Sequence, residues 1–324
     1  MKKLYWLTVL AALVAGCDQP QRKAVPNPQA IPTQAPTAAP APATLAEARK
    51  GFTTNLARRE SANMPVPAPP PKIFRVVQFD SPAGKLSAYL SPDPKDGKKR
   101  PAIIWITGGD CNSIDQGCWQ QGPPNNDQSA SQYRQAGILM MFPTLRGGND
   151  NPGVREGFLG EIDDVVAAYD YLVKEPYVDP ARIYLGGHST GGTVALLAAE
   201  YTDRFRAVFP FGPAENPTGY APEYVPFRTN DVKEVDLRSP IKWLGSIKSP
   251  TFVFEGVTGN KASLEGMREA STNPKVQFFL VSPGSHFNIL APLNRRIAEK
   301  ILADTGPECN IAFTADEVNG LMKR

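Results

Sequence analysis

The chain has 324 residues and 41% apolar content, enough to bury the core of one large or two medium domains. Its formal net charge is only +3, with Lys and Arg scattered rather than gathered into aromatic-flanked patches, which argues against nucleic acid as a partner. Two histidines and four cysteines, none clustered at metal-ligand spacing, argue against a metal hydrolase.

Met1-Lys2-Lys3 is a positive start, Leu4 to Leu13 is apolar, and Val14-Ala15-Gly16-Cys17 places small residues before a cysteine. The apolar run is too short to span a bilayer. This segment resembles the signal and lipobox of bacterial lipoproteins. The resemblance implies a signal peptide over 1–16, lipidation of Cys17, and a protein anchored in the cell envelope facing the periplasm. Asp18, directly after the cysteine, corresponds in that family to retention at the inner membrane.

Residues 18–43 are rich in Pro, Ala, Gln and Thr, with seven prolines from Pro20 to Pro42. Such a stretch buries too little surface to offset its ordering entropy and reads as an extended tether. Thr44 to Ser61 has helical character, docking on the domain or lengthening the stalk, and Pro65 to Pro71 is a second proline-rich spacer. The expected tether is 17–71, and the folded domain is expected over 72–305, followed by a tail, 306–324, with no evident role.

Within the domain, Phe74 to Phe79 and Lys85 to Leu90 alternate apolar and polar residues around Ser81-Pro82-Ala83-Gly84, the pattern of an antiparallel hairpin. Buried strands are predicted at Pro101 to Ile106, Ile138 to Phe142, Ile183 to Gly186, Ala207 to Phe211, Thr251 to Phe254 and Gln277 to Val281. Helices are predicted at Glu161 to Lys174, Gly192 to Glu200, Lys261 to Ala270 and Leu293 to Ala303. Apolar strands alternating with amphipathic helices predict an α/β fold, an eight-stranded mostly parallel sheet with helices on both faces. Residues 215–248, rich in Pro, Tyr, Phe and charge, interrupt the alternation after the sixth strand.

Ile183 to Ala195, IYLGGHSTGGTVA, reads as strand, sharp turn and helix with Ser189 at the apex between glycines that leave room for the turn. A serine hydroxyl needs a neighbouring base to become a nucleophile. Only His188 and His286 are available; His188 adjoins the serine, facing away from it, and is expected to pack, whereas His286 follows the last strand. These features resemble the α/β-hydrolase superfamily, and its prolyl-oligopeptidase and dienelactone-hydrolase branches in particular. The loop Pro143 to Gly153 around Arg146, together with GEIDDVVAAYDYL and VDPARIYLGGHSTGG, carries the likeness to the first branch. The cysteine nucleophile of dienelactone hydrolases is absent, since Ser189 stands there.

The resemblance implies Ser189 as nucleophile, His286 as general base, and oxyanion donors from the Thr190 N–H and from Gly109 or Asp110 in Thr107-Gly108-Gly109-Asp110. It implies structural roles for Arg146, Asp163 and Asp164, and a cap over the nucleophile formed by 215–248. No aspartate stands at the family's usual offset after the seventh strand. Glu255, Glu215 and Asn260 remain open as the group that orients His286. In an oxidising compartment Cys111 and Cys118 are the nearest disulfide pair. No cofactor is required. The expected activity is cleavage of an ester or peptide bond, and the lack of room before Lys72 for the β-propeller of that branch points to small esters or short peptides. The alternative, motivated by the missing aspartate, is a binding lipoprotein that keeps the fold without useful turnover.

Overall fold

β-Branched and aromatic side chains, which pack well on a pleated surface, fill the apolar runs, and eight of these form one sheet in a computed structural model that describes residues 44–323. The signal peptide, Cys17, Asp18 and the tether before residue 44 lie outside the described residues. The strands are β1 (Arg75–Ser81), β2 (Gly84–Leu90), β3 (Arg100–Ile106), β4 (Leu139–Pro143), β5 (Val178–His188), β6 (Val208–Phe211), β7 (Thr251–Gly256) and β8 (Val276–Val281). Their order is β1-β2-β4-β3-β5-β6-β7-β8. Strand β2 is antiparallel to both its neighbours, and every later pairing is parallel.

Eight helices accompany the sheet among the described residues: α1 (Leu45–Arg49), α2 (Ser131–Gln135), α3 (Glu161–Leu172), α4 (Thr190–Tyr201), α5 (Val232–Asp236), α6 (Lys261–Ala270), α7 (Leu290–Ala303) and α8 (Ala315–Gly320). Helix α3 opens with Glu161, Asp163 and Asp164, acids that complement the positive end of the helix dipole. Ile162, Val165, Val194, Leu197, Leu264 and Met267 bring α3, α4 and α6 into one apolar cluster. Tyr133, Leu293, Ile297 and Val318 bring α2, α7 and α8 into a second. The sheet is thus covered on both faces, the arrangement that parallel strands without alternation require.

Two boundaries differ from the sequence expectation. Residues 44–71 are not part of a free tether but run along the domain. Leu45 is fully buried in the first cluster, Arg49 pairs with Asp163 at 2.7 Å, Leu56 bridges to Phe227, and the Tyr89 hydroxyl donates to the Pro67 carbonyl at 2.7 Å. The tail after residue 305 also packs: Phe313 sits edge-on to Phe252, Phe254 and Phe279, and the Ser282 N–H donates to Asn319 Oδ1 at 2.8 Å.

The segment 215–248 packs on the domain. Its prolines start short 3₁₀ turns, and Phe227, Leu237, Leu244 and Ile247 are buried. A buried Glu234–Arg238 pair at 2.5 Å binds the N-terminal segment, Thr54 Oγ1 donating to Glu234 at 2.9 Å and Arg238 donating to Thr54 at 2.7 Å.

One buried group opposes this packing. Glu200, in the last turn of α4, has neither carboxylate oxygen hydrogen-bonded, and burial pushes its acid well above the usual carboxylate range. With the folded value raised, the neutral acid favours folding below pH about 4.5 and that contribution is lost as pH rises. We predict that Glu200→Gln raises the melting temperature relative to wild type, by a margin that grows from pH 5 to pH 8. A margin that is flat with pH would refute the assignment.

Candidate active site

Strand β5 ends in Gly187-His188, and the chain reverses at Ser189 with φ 56° and ψ −117° before entering α4. Side chains are excluded around the turn. A Cβ at Gly187 would lie 2.4 Å from the Gly191 carbonyl oxygen, and one at Gly191 would lie 2.3 Å from the Thr107 oxygen. The Ser189 side chain is part-exposed and lines a cleft of about 610 Å³, together with Thr107, Gly108, Gly109 and Phe287. The 12-residue helix α4 directs its N-terminal N–H groups and positive dipole end at this turn.

The loop after β3 presses on the elbow. A Cβ at Gly108 would come within 3.3 Å of Ser189 Cβ. Gly109, at φ +70°, is held by its carbonyl, which accepts from Thr190 Oγ1 and from the Cys111 N–H, both at 2.9 Å. The Thr190 hydroxyl therefore ties the residue after the serine to the glycine loop. The Asp110 side chain pairs with Arg155 at 2.6 Å.

His286 Nδ1 lies 2.8 Å from Glu255 Oε2, with Glu255 fully buried. The loops after β7 and β8 are interlocked: the Thr258 N–H and hydroxyl both donate to the Gly284 carbonyl at 3.1 Å. Three donors converge on the Glu255 carboxylate, His286 Nδ1, the Gly256 N–H at 2.5 Å and the Asn260 N–H at 3.0 Å, offsetting the cost of burying it. Gly212, at φ +56°, leaves the space: a Cβ there would meet His286 Cε1 at 2.4 Å and Glu255 Oε2 at 2.7 Å.

The other two candidates for the orienting group lie elsewhere or act indirectly. The chain turns at Gly212 and carries Glu215 towards α6, where a Cβ on Gly266 would be 2.4 Å from its carboxylate oxygen; no contact joins it to His286. Asn260 donates its backbone N–H to Glu255 and its side chain to the Gly212 carbonyl at 3.1 Å, bracing the acid.

His188 has more contacts than simple packing requires. Its ring lies 4.5 Å, centroid to centroid, from that of His286, and its Nε2 is 2.9 Å from the His286 carbonyl oxygen. Its Nδ1 is 2.9 Å from the Gln128 carboxamide. Burial, then the proximity of His286, pushes its pKa down to about 3. A carbonyl can only accept, so the neutral ring donates from Nε2 to His286. The sequence carried no signal for this, because His188 and His286 meet only through the fold.

Arg146 makes a two-pronged contact with Asp164 at 2.9 and 3.0 Å and a further one with Glu156 at 2.6 Å. Its carbonyl accepts from Asn112 Nδ2 at 2.8 Å, and Glu161 accepts from the Glu156, Gly157 and Leu159 N–H groups. Asp163 is taken by Arg49. The expected Cys111–Cys118 disulfide is not formed; both thiols are free. Cys111 belongs to one apolar cluster and Cys118 to the other. Burial raises both thiols, Cys118 to about 12.

Residues 127–237, which include Ser189 but neither Glu255 nor His286, match the prolyl oligopeptidase family. S-formylglutathione hydrolase of Mus musculus is 30% identical over 159 residues, 41% of this chain and 52% of its own length. Dipeptidyl-peptidase 5 of Porphyromonas gingivalis is 31% identical over 128 residues, 36% of this chain and 17% of its own. A puromycin-hydrolyzing peptidase from Mycobacterium tuberculosis superposes with a TM-score of 0.56 at 20% identity, covering 72% of this chain and 39% of its own. The matched regions thus span about half or less of each of these proteins.

The shift at His188 has a consequence for stability. The unfolded chain protonates this ring near 6.5 and the fold only near 3. Its contribution is therefore present above pH 6.5 and lost as pH falls towards 3, at about 1.4 kcal/mol per pH unit. Thermal melts between pH 7 and 4 should show a steeper fall for wild type than for His188→Gln; parallel curves would exclude a buried neutral His188. The chain has the α/β-hydrolase fold and over part of its length is similar to the prolyl oligopeptidase family, to an S-formylglutathione hydrolase and to a dipeptidyl-peptidase.

Proposed function

We propose that this protein is a serine hydrolase that cleaves an ester or peptide bond of a small substrate through an acyl-enzyme on Ser189. The observation that carries the proposal is the 2.8 Å contact from His286 Nδ1 to the buried Glu255 carboxylate, with the His286 ring 4.5 Å from that of His188, the residue before Ser189. A carboxylate at Nδ1 fixes the tautomer that leaves Nε2 free as a base. His286 then takes the Ser189 proton as the hydroxyl attacks the carbonyl carbon. It returns that proton to the leaving alcohol or amine, and a water repeats the sequence to release the acid.

The oxyanion that forms in each half-reaction is received by the Thr190 N–H at the start of α4 and by the glycine loop after β3. Thr190 contributes twice, because its hydroxyl also fixes the Gly109 peptide at 2.9 Å. The similarity to a dipeptidyl-peptidase and to an S-formylglutathione hydrolase supports cleavage of peptide and ester-type bonds. An orienting carboxylate on His286 counts against a fold kept only for binding. Lipidation at Cys17 and attachment to the envelope membrane complete the proposal, supported by the sequence Val14-Ala15-Gly16-Cys17.

A fluorophosphonate probe applied to the full chain, with p-nitrophenyl butyrate hydrolysis alongside, tests the reaction. Labelling and turnover are expected to vanish in Ser189→Ala and turnover to fall on the order of 10⁴-fold in Glu255→Gln, while Glu215→Gln stays near wild type. Thr190→Val is expected to lower kcat on the order of tenfold or more with little change in KM, and Thr190→Ser to restore it. A well-folded wild type that resists the probe would sink the proposal. For the anchor, the wild-type chain is expected in the membrane fraction and Cys17→Ser in the soluble fraction; equal partition would remove Cys17 from the account.

A further inference from the structure

The cleft that opens on Ser189 is walled by a part of the chain that the sequence assigned to the tether. Met64, Pro65 and Pro67 line it together with Ile114 and Phe287. Among the described residues six large apolar side chains are exposed, and two of them, Met64 at 61% and Phe287 at 44%, flank this one cleft. Exposed apolar groups gathered at a concave site mark a binding surface rather than chance.

The wall is held at both ends. On one side the Ala62 N–H donates to the Gly147 carbonyl at 2.8 Å, and on the other the Tyr89 hydroxyl donates to the Pro67 carbonyl at 2.7 Å. Between these ties Pro65 and Pro67 have no N–H to satisfy and restrict the backbone, so the segment keeps its shape without a sheet partner.

The polar groups of the cleft are largely spent inside the protein. Asn149 uses both ends of its carboxamide on Ile114, at 2.8 and 3.1 Å. Gln128 contacts His188 and Asn126, the Ser113 hydroxyl accepts from the Asn149 N–H at 3.1 Å, and Asp110 is paired with Arg155. The lining includes the Asp110 and Asp115 carboxylates and no lysine or arginine.

From this we infer that residues 63–67 form the selectivity wall of the site and that the cleft takes an uncharged apolar substituent adjoining the scissile carbonyl. The inference rests on the hydrolase reading above and adds the substrate class. A segment joined to the N-terminal region thereby becomes part of the substrate site.

The test uses the full chain and p-nitrophenyl acetate, butyrate, octanoate and hydrogen succinate, with wild type, Met64→Ala, Met64→Trp and Tyr89→Phe. In wild type kcat/KM is expected to rise from acetate to butyrate by up to about fourfold per buried methylene, and the succinate to react at least tenfold more slowly than butyrate. Met64→Ala and Tyr89→Phe should each lower the butyrate-to-acetate ratio about threefold or more. Met64→Trp should lower the octanoate-to-acetate ratio at least tenfold by filling the cleft. Ratios unmoved by any variant, or succinate turned over as fast as butyrate, overturn the inference. Fluorophosphonate labelling separates the two readings. An unlabelled Ser189 defeats the hydrolase assignment itself, whereas a labelled Ser189 with unmoved ratios defeats only the role of the wall.

Discussion

The site depends on one strained residue. Ser189 holds φ 56° and ψ −117°, a conformation that costs a non-glycine residue on the order of 1–3 kcal/mol. It persists because its neighbours over-determine it. Its N–H donates to the Phe211 carbonyl on the adjacent strand at 2.7 Å, and its carbonyl accepts the Thr193 N–H of α4 at 2.9 Å. The strained turn is thus locked to a strand on one side and to a helix on the other. Strain at this residue lifts the hydroxyl clear of the backbone and aims the helix N-terminus at the same point.

Parallel strands give the other groups their common address. Strands β3, β5, β6, β7 and β8 all end on one edge of the sheet, so the loops that follow them converge there. Those loops deliver Gly108 and Gly109, Ser189, Gly212 and His286 in turn, and the end of β7 itself delivers Glu255. Close approach is what lets short contacts replace a lid, and it explains the glycines. Gly212 meets both the histidine and the acid, and any side chain there would separate the pair.

Much of this was legible before the structure. All eight strands were found, because buried parallel strands are continuous apolar runs, and Ser189 and His286 follow from local strings at strand ends. The carboxylate that contacts His286 was less legible. Glu255 lies before the turn glycine, still within β7, rather than beyond it, and its longer side chain spans the offset. Nothing local distinguishes it from Glu215, since the turn at Gly212 that sends Glu215 to α6 depends on a backbone conformation. The docking of residues 44–71 was unreadable for a different reason. It rests on a few scattered apolar contacts, Leu45, Ala48, Phe52 and Val66, and on polar pairs such as Arg49–Asp163 and Thr54–Glu234, which leave no hydrophobic period. The aromatics and prolines of the 215–248 segment serve packing as well. Only Tyr220, through Thr193 at 2.7 Å, and Tyr224, near Gly109, approach the elbow.

The pairing of two histidine rings at the site poses an electrostatic problem that burial resolves. In the proposed reaction His286 becomes an imidazolium each time it takes the serine proton, with the His188 ring 4.5 Å away. Two like charges at that separation in a partly dry site would repel by several kcal/mol at an effective dielectric of about 20. Burial keeps His188 neutral, its pKa pushed down to about 3, so the repulsion does not arise at any pH where the enzyme would work. A neutral His188 also has its Nε2–H available for the His286 carbonyl, fixing the backbone of the base from the residue next to the nucleophile. The glycine-walled elbow therefore carries a ring that spaces the base and holds it by hydrogen bonding, while contributing no charge.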